Sequence, residues 1–321
     1  MTELFQNRIA VLIPCYNEEA AIGTVVRDFR RVLPTATIYV YDNNSKDRTI
    51  EVARAAGAVV RCEPLQGKGN VVRRMFADVE ADLYVLVDGD DTYDAASAPA
   101  LIERLLAGPL DMVNGARVTE IQAAYRLGHR LGNVLLTTMV ARIFGNRIGD
   151  MLSGYRVFSR RFVKSFPALS SGFEIETELT VHALELDLPV AEVITPYKDR
   201  PQGSVSKLRT FRDGFRILGT ILRLVKQERP MAFFTALFAV LAVGSMVLME
   251  PVTITFIHTG LVPRLPTAVL ATGMMLLAFL SLGCGLILET VTRGRQEMKR
   301  LRYLELPAPQ AGDAGVPVRK P

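Results

Sequence analysis

Tryptophan is absent from the chain, and cysteine is scarce. The three cysteines, Cys15, Cys62 and Cys284, are scattered and form no C-x-x-C pair. That pattern argues against a disulfide framework or a cysteine-based zinc site and suits a reducing compartment. Charge is missing from two long stretches, "MAFFTALFAVLAVGSMVLM" (Met231 to Met249) and "TAVLATGMMLLAFLSLGCGLIL" (Thr267 to Leu288). Each is close to the ~20 apolar residues a helix needs to cross a bilayer core. Buried core helices would be shorter and would show a polar stripe. The N-terminus shows no charged region followed by an apolar core and a small-residue cleavage site, so residues 1 to 230 are expected to stay in the compartment where they are made.

What is present agrees with a membrane-anchored chain. Hydrophobic residues make up 49% of the 321, and the mean hydropathy of +0.22 is high for a purely soluble enzyme. The apolar excess collects after Pro230. Lys226 and Arg229 precede the first span, and Arg293, Arg295, Lys299 and Arg300 follow the second. Between them, the loop from Glu250 to Pro266 has Arg264 as its single Lys or Arg. The positive-inside rule places both ends in the cytoplasm and the loop outside, giving an integral protein of the inner, cytoplasmic membrane. The net charge of +5 gathers beside the spans rather than in an aromatic-interleaved patch. Anionic lipid is therefore the expected partner, and nucleic acid is not.

The first 120 residues alternate short apolar runs with helical patterns. Arg8 to Pro14, Thr37 to Asp42, Ala58 to Glu63, Leu83 to Asp88 and Leu110 to Ala116 read as strands. Glu18 to Leu33, Asp47 to Gly57, Gly69 to Ala81 and Ala96 to Ala107 read as helices. Strands apolar on both faces and alternating with helices imply a mainly parallel sheet flanked by helices. Ligands of such sheets bind beyond the carboxyl ends of the strands. The polar clusters at Pro14 to Glu18, Asp42 to Ser45, Leu65 to Gly69 and Asp88 to Asp91 all fall on that edge.

Residues Ile121 to Gly145 form a long helical pattern in which His129 stands alone, a structural or surface histidine rather than a ligand. A helix is expected from about Phe173 to Leu186; of Glu174, Glu176 and Glu178 within it, helical spacing sends at least one to solvent, and the others could act on sugar or metal. From Leu208 to Arg229 basic residues recur beside Phe211, Phe215, Ile217, Leu218, Ile221, Leu222 and Leu224, the pattern of an amphipathic helix in the cytoplasmic interface. The tail after Leu306 has the composition of a disordered segment.

In "VLVDGDDTYD" (Val85 to Asp94) three carboxylates crowd the end of an apolar strand. Either solvent screens them in a turn or a cation sits there. Mg²⁺ takes one or two protein carboxylates and fills its shell with substrate phosphates, so a nucleoside diphosphate bridged by the metal would suit Asp88 and Asp90.

The ordered segments "VLIPCYNEE", "DNNSKDRT", "LQGKGN", "VDGDDTYD" and "DMLSGYRVFSRR" resemble the successive signatures of family 2 glycosyltransferases of the GT-A fold. "YKDRPQGSVSKLRT" resembles the R-x-x-G-x-S-K segment of the polyprenyl-phosphate subgroup, which includes dolichol-phosphate mannose synthase and undecaprenyl-phosphate relatives. Together they cover roughly residues 8 to 212, and their order is more specific than any one alone.

The resemblance implies that Pro14, Tyr16, Asn17 and Glu18 line the nucleotide pocket and that Asp42 reads the base or its ribose surroundings. Gly67, Lys68 and Gly69 would let backbone and ammonium approach the nucleotide. Asp88 and Asp90 would form the D-x-D that holds Mg²⁺ or Mn²⁺, with Thr92 standing where relatives often carry Gln. Asp150, with Ser153, Gly154 and Arg156, would face the acceptor phosphate or the chemistry; a cleft-ordering loop is the other reading of that segment. Arg200, Ser206 and Lys207 would clamp phosphates.

The expected architecture is an α/β GT-A, Rossmann-like domain over 1–207, a juxtamembrane amphipathic helix over 208–229, a two-helix transmembrane region over 230–290, and a basic segment with a disordered tail over 291–321. The implied activity is inverting, metal-dependent transfer of a hexose or N-acetylhexosamine from a UDP- or GDP-linked sugar to a polyprenyl phosphate. The resemblance and the two short-looped spans are compatible with a homo-oligomer. Processive polysaccharide synthases hold their chain with a Q-x-x-R-W element, and the absence of tryptophan argues against that activity. A catalytically idle scaffold that binds nucleotide sugar or a partner subunit is the alternative from another class.

Overall fold

The computed structural model describes residues 7–108, 110–118, 148–172, 174–198, 219, 226 and 229–309. Its first compact unit comprises residues up to Ile217 together with those from Lys299 onward. Seven strands form one sheet there: β1 (Ile9–Cys15), β2 (Thr37–Asp42), β3 (Val59–Cys62), β4 (Leu83–Leu86), β5 (Met112–Val118), β6 (Arg156–Ser159) and β7 (Val190–Pro196), in the order β3-β2-β1-β4-β6-β5-β7. The connecting helices are α1 (Ile22–Val32), α2 (Thr49–Ala55), α3 (Lys68–Asp78), α4 (Ala98–Ala107), α5 (Arg160–Ser165) and α6 (Ile175–Glu185).

The expected mainly parallel sheet is present. β1 pairs in parallel with both β2 and β4, in register Val11 to Ile38 and Val11 to Val85. The β-branched and aliphatic run Val11-Leu12-Ile13 is fully buried because helices cover both faces of this central strand. The exception is β6, which runs antiparallel to β4 and β5. Its reversal has a functional consequence. The loop that enters β6, 148–155, lies at the same sheet edge at which β1, β2, β4, β5 and β7 end. β6 and β7 were not among the strands expected from the sequence. Arg156 and Ser159 make β6 look polar, yet all four of its residues are buried.

The second compact unit, Leu218–Met298, contains α7 (Pro230–Thr259) and most of α8 (Leu265–Leu304). Both helices are long and apolar enough to cross a membrane. At ~1.5 Å per residue, α7 alone measures about 45 Å. Within the unit the Ser245 hydroxyl donates to the Ala271 carbonyl at 2.7 Å, which satisfies a polar group on an apolar helix. Most other large side chains of the pair, such as Val240 and Leu280, are exposed. The sequence-based loop beginning at Glu250 is corrected here: α7 continues past Pro251 and ends at Gly260, whose left-handed backbone (φ 67°) lets its amide reach the Phe256 carbonyl. The residues from Arg293 to Leu304, expected as a basic segment beyond the span, are helical. The long pattern carrying His129, and nearly all of the amphipathic segment 208–229, lie outside the described residues.

Candidate functional site

Asp88 lies two residues beyond the end of β4, at the edge predicted to bind ligand. The Lys68 ammonium, at the first position of α3, lies 2.5 Å from Asp88 Oδ1 and 2.5 Å from Glu176 Oε1. Three chain segments distant in sequence thus converge on one charge. Burial pulls the Lys68 pKa down, but the two carboxylates outweigh it and hold the ammonium charged. Burial pushes the Asp88 carboxyl up to about 6, Lys68 opposing the rise and Asp90 adding to it. Asp88 thus has one cationic partner, Lys68, which it shares with Glu176.

Asp90 is buried and takes a 2.6 Å hydrogen bond from the Thr92 hydroxyl to Oδ1. Thr92, where relatives often carry Gln, acts on Asp90 itself. Asp91 adopts a left-handed backbone (φ 57°), and Asp94 accepts from the Ala96 amide and the Ser97 hydroxyl, so both serve the turn. Among the described residues no group of three or more His, Cys, Asp or Glu side chains could hold a metal. Two carboxylates one residue apart nevertheless fit Mg²⁺ or Mn²⁺, which takes one or two carboxylates from protein and can draw its remaining ligands from phosphates.

The loop before β6 comes up against the same carboxylates. A β-carbon on Gly154 would collide with the Asp88 carboxylate, so only glycine permits this approach. The Gly154 amide donates to the Tyr93 hydroxyl at 2.8 Å, which ties the loop to the D-x-D turn. Ser153 is buried and donates to the Gly115 carbonyl. Asp150 accepts from Arg117 Nε at 2.7 Å and from Nη2 at 2.8 Å. Burial works against its charge, but Arg117 prevails and holds the carboxyl below its ordinary range. Glu192 of β7 accepts from the Gly149 and Asp150 amides, each at 3.0 Å, and fixes the loop from below.

Two of the expected site residues meet protein partners in the structure. Arg156, expected at the acceptor phosphate, is fully buried. Its guanidinium donates to the Met151 and Ser153 carbonyls and to the Thr180 hydroxyl. It therefore ties the loop together from inside. Gly69 was assigned to the nucleotide, but its amide donates to the carbonyls of Ser171 and Gly172, and a β-carbon there would strike Ser170. Its small size serves packing of the 170–172 loop, as does that of Gly67, which has φ 130° and sits against Ser171.

The β1 and β2 ends adjoin. Asn17 (φ 53°) accepts from the Lys46 amide, and its own amide donates to the Ser45 hydroxyl. The Glu18 amide donates to Thr49 Oγ1, and the Glu18 carbonyl accepts from the first amides of α1. Asp42 accepts from the Ser45 amide through Oδ2, while its buried Oδ1 has no hydrogen-bond partner among the described residues. Pro14 and Tyr16 are half-buried at the same edge. Asn43 binds the Glu63 and Leu65 carbonyls and the Gly67 amide, joining β2 to the start of α3. Of the three carboxylates in the "GFEIETEL" stretch, Glu176 and Glu178 in α6 are buried and Glu174, just before the helix, is half-buried. Glu178 caps the amides of Leu169 and Ser170, so Glu176 alone reaches Lys68. Arg200, Ser206 and Lys207 lie outside the described residues.

Residues 10–166 match the family described as glycosyl transferase family 2. Over 305 residues the chain is 34% identical to glycosyltransferase AglJ of Haloferax volcanii, which spans 92% of this chain and 98% of that relative. The chain belongs to glycosyl transferase family 2. The dolichyl-phosphate hexose transferase of the same organism is 30% identical over 230 residues, 71% of this chain and 99% of that one. These relatives support placing this glycosyltransferase in the polyprenyl-phosphate subgroup. Glucosyl-3-phosphoglycerate synthase of Mycobacterium tuberculosis, in complex with Mn²⁺, UDP and glucosyl-3-phosphoglycerate, superposes with a TM-score of 0.53 at 25% identity, covering 69% of this chain and 78% of that chain. The transferase accordingly has a GT-A-like sheet with flanking helices, followed by two candidate membrane spans.

Proposed function

We propose that the chain transfers a hexose or N-acetylhexosamine from a UDP- or GDP-linked sugar to a polyprenyl phosphate, of the undecaprenyl or dolichyl type, at the cytoplasmic face of the membrane. The observation that carries this reading is the meeting of Lys68, Asp88 and the Asp150 loop at one sheet edge, through the Asp88 ion pair and the close approach of Gly154. A cationic and a carboxylate lining side by side suit a diphosphate held with a divalent cation. The acceptor phosphate is already ionised near neutrality, so attack needs orientation more than a general base.

In this reading an acceptor phosphate oxygen forms a bond to the anomeric carbon. The bond from that carbon to the diphosphate oxygen breaks, its electron pair leaves with the nucleoside diphosphate, and the anomeric centre inverts. Asp88 and Asp90 would hold Mg²⁺ or Mn²⁺, which would neutralise charge developing on the leaving diphosphate. Lys68 adds a point charge beside it. Pro14, Tyr16, Asn17, Glu18 and Asp42 border the nucleotide. The buried, unpartnered Asp42 Oδ1 is an acceptor that a donor from base or ribose would satisfy. Arg117 and Asp150 order the acceptor side, and Arg200, Ser206 and Lys207 complete the phosphate clamp. The basic residues before α7 and in the last turns of α8 favour both span ends in the cytoplasm, next to the lipid acceptor.

The test is a donor panel. The purified full-length chain would be incubated with polyprenyl phosphate, Mn²⁺ or Mg²⁺, and UDP- or GDP-linked hexoses and N-acetylhexosamines, and the lipid would be read by mass spectrometry. A sugar adduct of the lipid phosphate with one donor class supports the reading. No adduct with any donor favours the idle scaffold.

A further inference from the structure

Lys68 has two carboxylate partners, and one of them belongs to the D-x-D expected to bind a cation. Its ammonium is 2.5 Å from Asp88 and 2.5 Å from Glu176, and the Lys68 and Glu176 side chains are only 9% and 8% exposed, against 28% for Asp88. The three groups come from the start of α3, the end of β4 and the first turn of α6, so their meeting is a product of the fold rather than of local sequence. Glu178, two residues on, points instead to the Leu169 and Ser170 amides. Glu176 thus has Lys68 as its side-chain partner, and Lys68 already neutralises a carboxylate expected to bind metal. An ammonium and a divalent cation on the same carboxylate repel each other. Lysine carries its charge on a flexible four-carbon stem and can move between neighbouring acceptors while its backbone stays fixed in the helix.

We propose that Lys68 is an internal counter-cation that competes with the divalent cation for Asp88. Glu176 is the positioning residue that receives the ammonium when the cation arrives and keeps it in the cleft. The inference rests on the reading of Asp88 and Asp90 as metal-binding residues. It assigns Glu176 a role that neither the D-x-D nor a sugar contact requires: without it, the ammonium would either stay on Asp88 or be left buried without a counter-charge.

Mn²⁺ binding to the full-length, nucleotide-free protein, followed by the paramagnetic resonance of free Mn²⁺, tests this without turnover. Lys68→Met is expected to tighten Mn²⁺ binding at least about tenfold. In an Asp88→Asn background that gain should vanish, because the competition is for Asp88. Glu176→Gln should weaken Mn²⁺ binding severalfold, since the ammonium then has only Asp88. Unchanged or weaker binding by Lys68→Met, or a gain that survives Asp88→Asn undiminished, overturns the exchange. Should Lys68→Met fail to fold, judged by circular dichroism, the nearly isosteric Glu176→Gln decides: unchanged or tighter Mn²⁺ binding overturns the proposal. Wild-type protein with UDP or GDP added separates the two layers. No Mn²⁺ binding there overturns the metal reading and the exchange with it, whereas binding there without tightening in Lys68→Met overturns the exchange alone.

Discussion

Arg117 grips Asp150 with two nearly parallel hydrogen bonds, Nε to Oδ2 at 2.7 Å and Nη2 to Oδ1 at 2.8 Å. Both carboxylate oxygens are engaged, and the carboxyl titrates below its ordinary range because Arg117 outweighs the effect of burial. A general base works best when its pKa lies near the working pH. In the proposed transfer, a depressed Asp150 pKa suits positioning the acceptor better than taking its proton.

The pair has a signature in acid. A depressed folded-state pKa contributes stability above the unfolded value of about 3.9, and that contribution is lost as pH falls through the folded pKa. Arg117→Met should then destabilise the first unit by about 1–3 kcal/mol at neutral pH. The difference from wild type should shrink below about pH 4 as Asp150 protonates in the unfolded chain. Circular dichroism across a pH series is the measurement, because the chain has no tryptophan to report by fluorescence.

Thr92 orients Asp90 through a 2.6 Å hydrogen bond. Thr92→Val keeps the shape and removes the hydroxyl, so the metal concentration at half-maximal rate should rise about tenfold, the equivalent of ~1.4 kcal/mol. Thr92→Ser should restore it. A purely structural role would lower the unfolding midpoint instead and leave the metal dependence unchanged.

Arg156 should behave as a structural residue despite its place in the motif. Removing a buried guanidinium strands the Met151 and Ser153 carbonyls, so Arg156→Met should cost about 2–4 kcal/mol of stability. At a temperature where the variant remains folded, its KM for the lipid acceptor should stay near that of wild type. A large KM increase without loss of stability would return Arg156 to the phosphate.

The sequence disclosed the parallel half of the fold because each of its strands is a continuous apolar run followed by a polar turn, as at Val85 to Asp94. Strand ends at one edge then placed Asp42, Lys68 and Asp88 together. β6 was illegible because Arg156 and Ser159 occupy a buried strand through partners far away in sequence, Thr180 and Asp111. Arg117 was missed although it sits at the carboxyl end of β5, on the predicted edge; its signal was position alone. Glu176 could not be separated from Glu174 and Glu178 by spacing, since only the approach of α3 to α6 selects it. The packing of Gly69 on the 170–172 loop was not legible because glycine serves close loop packing as readily as close ligand approach.

Asp111 illustrates the same limit. It is fully buried, and it accepts from Ser159, Arg161 and, across 192 positions, the Tyr303 hydroxyl at 2.8 Å. Tyr303→Phe removes one bond to a charged acceptor that keeps its other donors, so the first unit should lose about 1–2 kcal/mol. Thermal or chemical unfolding followed by circular dichroism measures the change.

The central claim is that Asp88 and Asp90 serve sugar transfer to a lipid phosphate, and acceptor-dependent release of nucleoside diphosphate tests it most directly. With Mn²⁺ and the matching nucleotide sugar, wild-type protein should release nucleoside diphosphate only when polyprenyl phosphate is present, and Asp90→Ala should abolish that release. Equal release without the lipid, or near-normal release by Asp90→Ala, would contradict the account.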